Sequence, residues 1–370
     1  MRQILRWLFD LLVRFARTLD LPLLGALLAL MVIGLAVLHS AADHNVGMVV
    51  RQGAFFVAGL GVMWALSRVP PNQLRNWTPL VFGASLITLL LVLLIGTGKH
   101  GRHWINLGVV YVQPAELLKL SLPMMVAWFL DRQALPPRFH TVLVAALLIA
   151  VPTGLILLQP DFGTAMLVAT SGAFALYLAG LPWWWFGMAF GAVAAVAPVA
   201  WFWLLRPYQK DRILTFLNPE SDPLGTGWNI IQSKIAIGAG GLTGKGWGQG
   251  SQSHLNYLPE HTTDFIFAVL SEEFGWIGVG TVLALYLFVI GRCLWIASEA
   301  RDGYSRLIAG ALGLSFCVYV IVNGGMISGL LPVVGVPMPL LSYGGTSAVS
   351  LLAGLGVVMA VRAHRPVYAR

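Results

Sequence analysis

Along most of this chain apolar side chains follow one another without the alternation of a half-buried strand and without a regular polar face. Short polar or Gly/Pro-rich pieces break them into runs. A bilayer core is crossed by about 20 mostly apolar residues in helical form. Ten runs fit that length: 21–39, 53–68, 79–96, 114–131, 141–158, 163–180, 184–206, 264–291, 305–330 and 345–362. The pattern predicts an all-α integral membrane protein of about ten transmembrane helices. One polar stretch is long, at 207–263, and it is rich in Trp, Tyr, Ile and Leu, which predicts a large loop that folds back onto the membrane rather than a loose linker.

Composition agrees with the pattern. Hydrophobic residues make up 58% of the 370 and charged ones only 10%, with mean hydropathy +0.78. A water-soluble globular protein with an ordinary charged surface is excluded. The first 20 residues, interrupted by Arg2, Arg6, Arg14 and Arg17, read as a basic amphipathic segment lying on an anionic leaflet. No linker, repeat or low-complexity stretch divides the rest, so 1–370 is expected to form one polytopic domain.

Charge sets the expected orientation. Arginines concentrate in the N-terminal segment, in the connections 68–78, 132–140 and 292–306, and in the C-terminal tail. By the positive-inside rule both termini are cytoplasmic and the 207–263 loop is extracytoplasmic. The net charge of +8 partly reflects this anchoring, and nucleic acid is not expected as a partner. Cys293 and Cys317 fall on the cytoplasmic side or within a span, so no disulfide is expected.

The chemistry-bearing residues collect on the opposite side. Asp264 ends the polar loop just where an apolar run begins, and a carboxylate at membrane depth costs several kcal/mol unless it faces water or a partner. Glu116 and Lys119 stand three apart behind Pro114, on one helix face, either as an ion pair that neutralises two costly charges or as part of a cavity wall. Asp161, in Pro160-Asp161-Phe162-Gly163-Thr164, is placed to cap a helix, to hold a ligand, or to do both. On a straight helix Glu272 would lie roughly 12 Å deeper than Asp264 and within about 80° of it, making it a candidate cavity partner, while Glu273 would point away into packing.

The long loop adds Arg212, Lys234 and Lys245 among glycines at 238–241 and 244–246, a composition suited to an anion but without a P-loop ending. The histidines form no zinc-type spacing. Ser342, flanked by Tyr343-Gly344-Gly345, has no legible His and Asp partners, so hydrolysis has little support.

Several long motifs carry a resemblance. Gln113-Pro114-Ala115-Glu116 with Lys119, the 159–164 block, 219–246, Leu258 to Phe265, and Asn323-Gly324-Gly325 through Ser347 together resemble the SEDS family of shape, elongation, division and sporulation proteins. The resemblance covers essentially the whole chain. The run 219–238 is more similar to the elongation branch than to the division branch. Ala115, Met338 and Thr262-Thr263 depart mildly from the pattern, and no charged group is lost.

The family implies a glycosyltransferase that polymerises lipid II on the outer face of the cytoplasmic membrane. It also implies a class B penicillin-binding protein as cross-linking partner, alongside other membrane proteins of the elongation machinery. Asp264 matches the family's catalytic carboxylate. A diphosphate is already a good leaving group, so the expected work is to deprotonate the acceptor hydroxyl, assigned to Asp264, and to hold the diphosphate. Lys119, Arg102 and the loop cations are assigned the second task, with a divalent cation (Mg or Mn) as a further aid and no organic cofactor. The α-linked donor and β-linked product of the family imply inversion by one displacement. The rival readings are a lipid II flippase, which would show matched broken helices in two halves, and a non-enzymatic scaffold for the penicillin-binding protein.

Overall fold

The computed structural model describes residues 18–96, 103–106, 111–205, 207–219, 226–251 and 262–364. Helix dominates them. The chain runs α1 (Leu21–Ala41), α2 (Val46–Ser67), α3 (Pro71–Ile95), a hairpin of β1 (Ile105–Asn106) and β2 (Tyr111–Val112), α4 (Pro114–Leu130), α5 (Phe139–Leu158), α6 (Phe162–Leu178) and α7 (Trp183–Val199). Then come α8 (Pro207–Leu217), α9 (Thr226–Ala239), α10 (Ile266–Ser298), α11 (Gly303–Ile327) and α12 (Gly345–Ala363).

Among the described residues eight helices are long and apolar enough to cross a membrane, and α4 and α6, of 17 residues each, complete a set matching the ten expected runs. The protein is a multi-pass, mostly helical membrane protein. Its large exposed apolar side chains, such as Leu80 on α3, Leu147 on α5 and Phe190 on α7, face where lipid would be.

Three boundaries differ clearly from the sequence expectation, one of them the end of α10, at Ser298 rather than 291. Helix α2 begins at Val46 and α3 at Pro71, where Arg51, Gln52 and the stretch from Asn72 to Thr78 had marked connections. Those polar groups are carried on the helices because each finds a partner or an open face. Gln52 donates to Ser342 O, Arg75 pairs with Asp131 at 2.8 Å, and Thr78 shares a hydrogen bond with Tyr304. At the Arg75–Asp131 end Asp20 caps α1 and is bound by Arg292 and Arg362, joining α1, α10 and α12. Helix packing between α2 and α12 is close, with Gly59 directly against the Leu352 side chain.

The larger surprise is α10. Its 33 residues would span about 50 Å if straight, and it is broken at Gly275, whose φ of 61° and ψ of −159° lie outside the helical region. A break strands four N–H and four C=O groups, which at membrane depth must find partners. The 240–246 turn supplies them. Lys245 N and Gly246 N donate to the carbonyls of Glu272 and Glu273, and Trp276 N and Ile277 N donate to the carbonyls of Gly241 and Leu242. A Cβ on Gly275 would collide with Gly244 N, so the two glycines are what lets the turn and the break interlock.

The expected polar loop is therefore largely structured where it is described. Helix α9 packs through Ile230, Ser233 and Ala236, with Ser233 Oγ donating to Ile327 O at 2.8 Å.

Candidate functional site

At one end of the bundle the head of α2, the starts of α4 and α6, the turn before α10 and the irregular strap leading to α12 surround a cavity of about 820 Å³. Asp264, Glu116, Lys119 and Asp161 line it, together with Arg51 and His103. Residues far apart in sequence converge because the beginnings of α2, α4, α6, α10 and α12 all lie at this end.

Each charged group is held in a defined way. Asp264 sits in the turn that precedes α10, not on the helix, which starts at Ile266. Asn323, fully buried on α11, donates through Nδ2 to Asp264 O at 2.8 Å and to Val336 O at 2.7 Å. Gly335 lies opposite, at φ 70°, and a Cβ there would stand 3.5 Å from Asp264 Oδ2. The strap that carries Gly335 is tied down by Tyr343 N donating to Thr262 O, and by Gln52 clamping Ser342 O and Gly344 N.

Lys119 Nζ contacts Glu116 Oε1 at 2.6 Å, with the two side chains only 11% and 8% exposed. Ser350 Oγ donates to the second carboxylate oxygen at 2.6 Å, and the ammonium lies 5.3 Å from the centre of the Tyr319 ring. The pair is thus an internal ion pair and part of the cavity wall at once. Asp161 caps α6 by accepting from Thr164 N at 3.0 Å, and its other oxygen accepts from Gln113 Nε2 at 2.9 Å.

Other expected site residues lie elsewhere. The straight-helix projection that set Glu272 beside Asp264 fails because Asp264 sits in a turn off the helix, while the break at Gly275, just beyond Glu272, admits the 240–246 turn against that residue. Glu272, fully buried, instead accepts from Lys245 Nζ at 2.6 Å and from Ser251 N and Oγ at 3.0 Å each. That bond also takes Lys245 out of the cavity lining. Glu273 accepts from Ser40 Oγ, in packing as expected. Lys234 is exposed on α9 beside Gly329, away from the cavity. Ser342 turns into the strap, where its Oγ accepts from Met338 N at 2.8 Å. Arg102 and the side chain of Arg212 fall outside the described residues.

The sequence reading left out Arg51, Gln113, Asn323 and Gly335 as site residues. Arg51 carried a usable signal, a lone cation at the lip of a span on the less basic side. Asn323 and Gly335 carried only their place within a motif.

A second cavity of about 360 Å³ adjoins the first, sharing His103, Asp161 and Gly335. Its remaining wall is largely apolar, with Phe162, Leu205, Ile213 and Val333. Among the described residues no group of three or more His, Cys, Asp or Glu stands together as a metal cage. Asp161 and Glu116 each have both oxygens engaged by protein groups. Chemically the arrangement offers a carboxylate beside cations in a water-accessible pocket, next to an apolar recess.

Comparison with known proteins gives a consistent set of likenesses. A family model described as a cell cycle protein, covering FtsW, RodA and SpoVE, matches residues 16–366. The chain is 48% identical over 348 residues to the peptidoglycan glycosyltransferase MrdB of Escherichia coli strain K12, covering 94% of each. Its fold is similar to a chain of a peptidoglycan synthase complex that coordinates polymerization and crosslinking, at TM-score 0.82 and 33% identity over 92% of this chain and 97% of that one. It is also similar to the rod shape determining protein RodA of Thermus thermophilus, at TM-score 0.71 and 30% identity over 92% and 96%.

Proposed function

This chain belongs to the FtsW/RodA/SpoVE family and is a peptidoglycan glycosyltransferase, and from that premise we propose that it polymerises lipid II into glycan strands with Asp264 as general base. The observation that carries the reading is the 820 Å³ cavity in which Asp264 shares a wall with Lys119 and Arg51. A base needs an acceptor hydroxyl within hydrogen-bond reach, and positioned proton transfer contributes roughly 10²- to 10⁴-fold in rate.

The donor's anomeric carbon then receives the acceptor oxygen as its bond to undecaprenyl diphosphate breaks, with inversion. The hydroxyl proton passes to the Asp264 carboxylate. Lys119 and Arg51 balance the charge that develops on the departing diphosphate in a partly desolvated site. Glu116 keeps the Lys119 ammonium in place through the 2.6 Å contact. A divalent ion, where one takes part, would be carried mainly by the diphosphate itself. The adjoining apolar recess suits the first isoprene units of a lipid-borne substrate.

The short connections and adjoining helix starts at the end opposite the cavity carry Arg68, Arg75, Arg132, Arg138, Arg301 and Arg306. Their bias supports cytoplasmic termini, with the cavity and the 207–263 loop on the outer face of the bacterial inner membrane. A class B penicillin-binding protein is the proposed partner, supported by the likeness to a synthase complex.

Purified Asp264→Asn, assayed with its partner for glycan polymer from lipid II in detergent, should yield none while the parent does. Parental polymer from this variant would overturn the base assignment. Polymerisation in detergent, where there are no two compartments, also separates this function from lipid flipping.

A further inference from the structure

The backbone of Asp264 is tied to a residue 59 positions away. Asn323 Nδ2 donates to Asp264 O at 2.8 Å and to Val336 O at 2.7 Å. Two carbonyls face the amide, so only its NH₂ can point there, and the side-chain orientation is determined by the partners. The bonds join two segments with no regular structure of their own at that point, the turn that carries Asp264 and the strap that carries Gly335.

Strap and carboxylate are closely fitted. Gly335 places no side chain between them, and on the strap's other side Gly163 of α6 packs directly against Val334 O. The strap residues 334–336 thus lie between α6 and the Asp264 turn, and Asn323 fixes the spacing. Its side chain does not line the cavity.

We infer that Asn323 is a positioning residue for the reaction, acting through Asp264 by holding the carbonyl of that residue in register with Val336. This rests on Asp264 being the base. A carboxylate must sit within hydrogen-bond reach of the hydroxyl it deprotonates, and misplacement by about 1 Å costs on the order of 100-fold. Cutting the bridge frees the 264 peptide to rotate and carries the carboxylate with it. Substrate contacts made by Lys119 and Arg51 come from α4 and α2 and do not depend on the bridge.

The test uses the full chain with its partner and lipid II. Asn323→Ala removes both bonds; Asn323→Gln keeps an amide but moves it by one methylene. In both, kcat should fall roughly 10- to 100-fold with KM for lipid II changed less than about threefold. The acid limb of the kcat–pH profile should move as well, because the environment of the base has changed. A loss of stability alone would lower the active fraction and leave the shape of that profile unchanged. Thermal melting identifies folded variants, and Asn323→Gln serves where Asn323→Ala does not fold. Folded Asn323 variants with parental kcat and profile, while Asp264→Asn is inactive, would overturn this inference alone. Polymer from Asp264→Asn would overturn the base reading and this inference with it.

Discussion

Lys119 and Glu116 form a 2.6 Å ion pair that is nearly buried and yet borders the main cavity. Breaking a buried pair from one side typically costs about 3–5 kcal/mol, because the remaining charge is left uncompensated. Glu116→Ala and Lys119→Met should each lower the melting temperature. The double variant Glu116→Gln with Lys119→Met removes both charges, and should regain most of the lost stability while still failing to polymerise. Parental polymer from the double variant would show that the ammonium serves folding alone.

Asp161 separates capping from charge. Asn is as good an N-cap as Asp, whereas Ala loses about 1 kcal/mol. Asp161→Asn should keep the bond from Thr164 N and, with the Gln113 amide turned to present its oxygen to the new NH₂, melt close to the parent, and Asp161→Ala should melt lower. Polymer yield should fall in both if the negative charge acts in the cavity. Full activity in the Asn variant would confine the residue to the start of α6.

Gly335→Ala probes the space beside the base. A left-handed conformation costs an L-residue about 1–2 kcal/mol, so folding should survive with a lowered melting temperature. The new methyl would lie 3.5 Å from Asp264 Oδ2, taking the place of water or substrate there. Kinetics on the purified variant should show a loss of kcat larger than the stability change accounts for. A parental kcat would mean that this side of the carboxylate is not used.

How much of this could be read from the sequence depends on what kind of interaction decided each feature. The ten spans were legible because the bilayer solvates each apolar run separately, so composition alone is informative. The heads of α2 and α3 were not, since Arg51, Gln52 and Arg75 look like connection residues until Gln52 is seen to meet the strap and Arg75 to meet Asp131. The pairing of Glu116 with Lys119 followed from helical spacing. The placing of Glu272 did not, because it required knowing that Asp264 sits in a turn off the helix and that Gly275, one of 41 glycines, breaks that helix and admits the turn carrying Lys245. With the break in place, Glu272 meets Lys245, and two expected cavity residues are joined to each other instead. Asn323 stood inside a recognised motif, but its role lies in a long-range contact that local pattern does not encode.

The broken helix has a consequence for redesign. The two halves of α10 draw their missing hydrogen bonds from residues 241–246, so the angle between them is a joint property of the helix and a segment about 30 residues upstream. Grafting the 207–263 region from a distant relative would therefore exchange a hinge plate along with a surface. A chimera whose inserted turn no longer fits the break would leave the carbonyls of Glu272 and Glu273 and the N–H groups of Trp276 and Ile277 without these partners, although every cavity-lining side chain would still be present in the sequence.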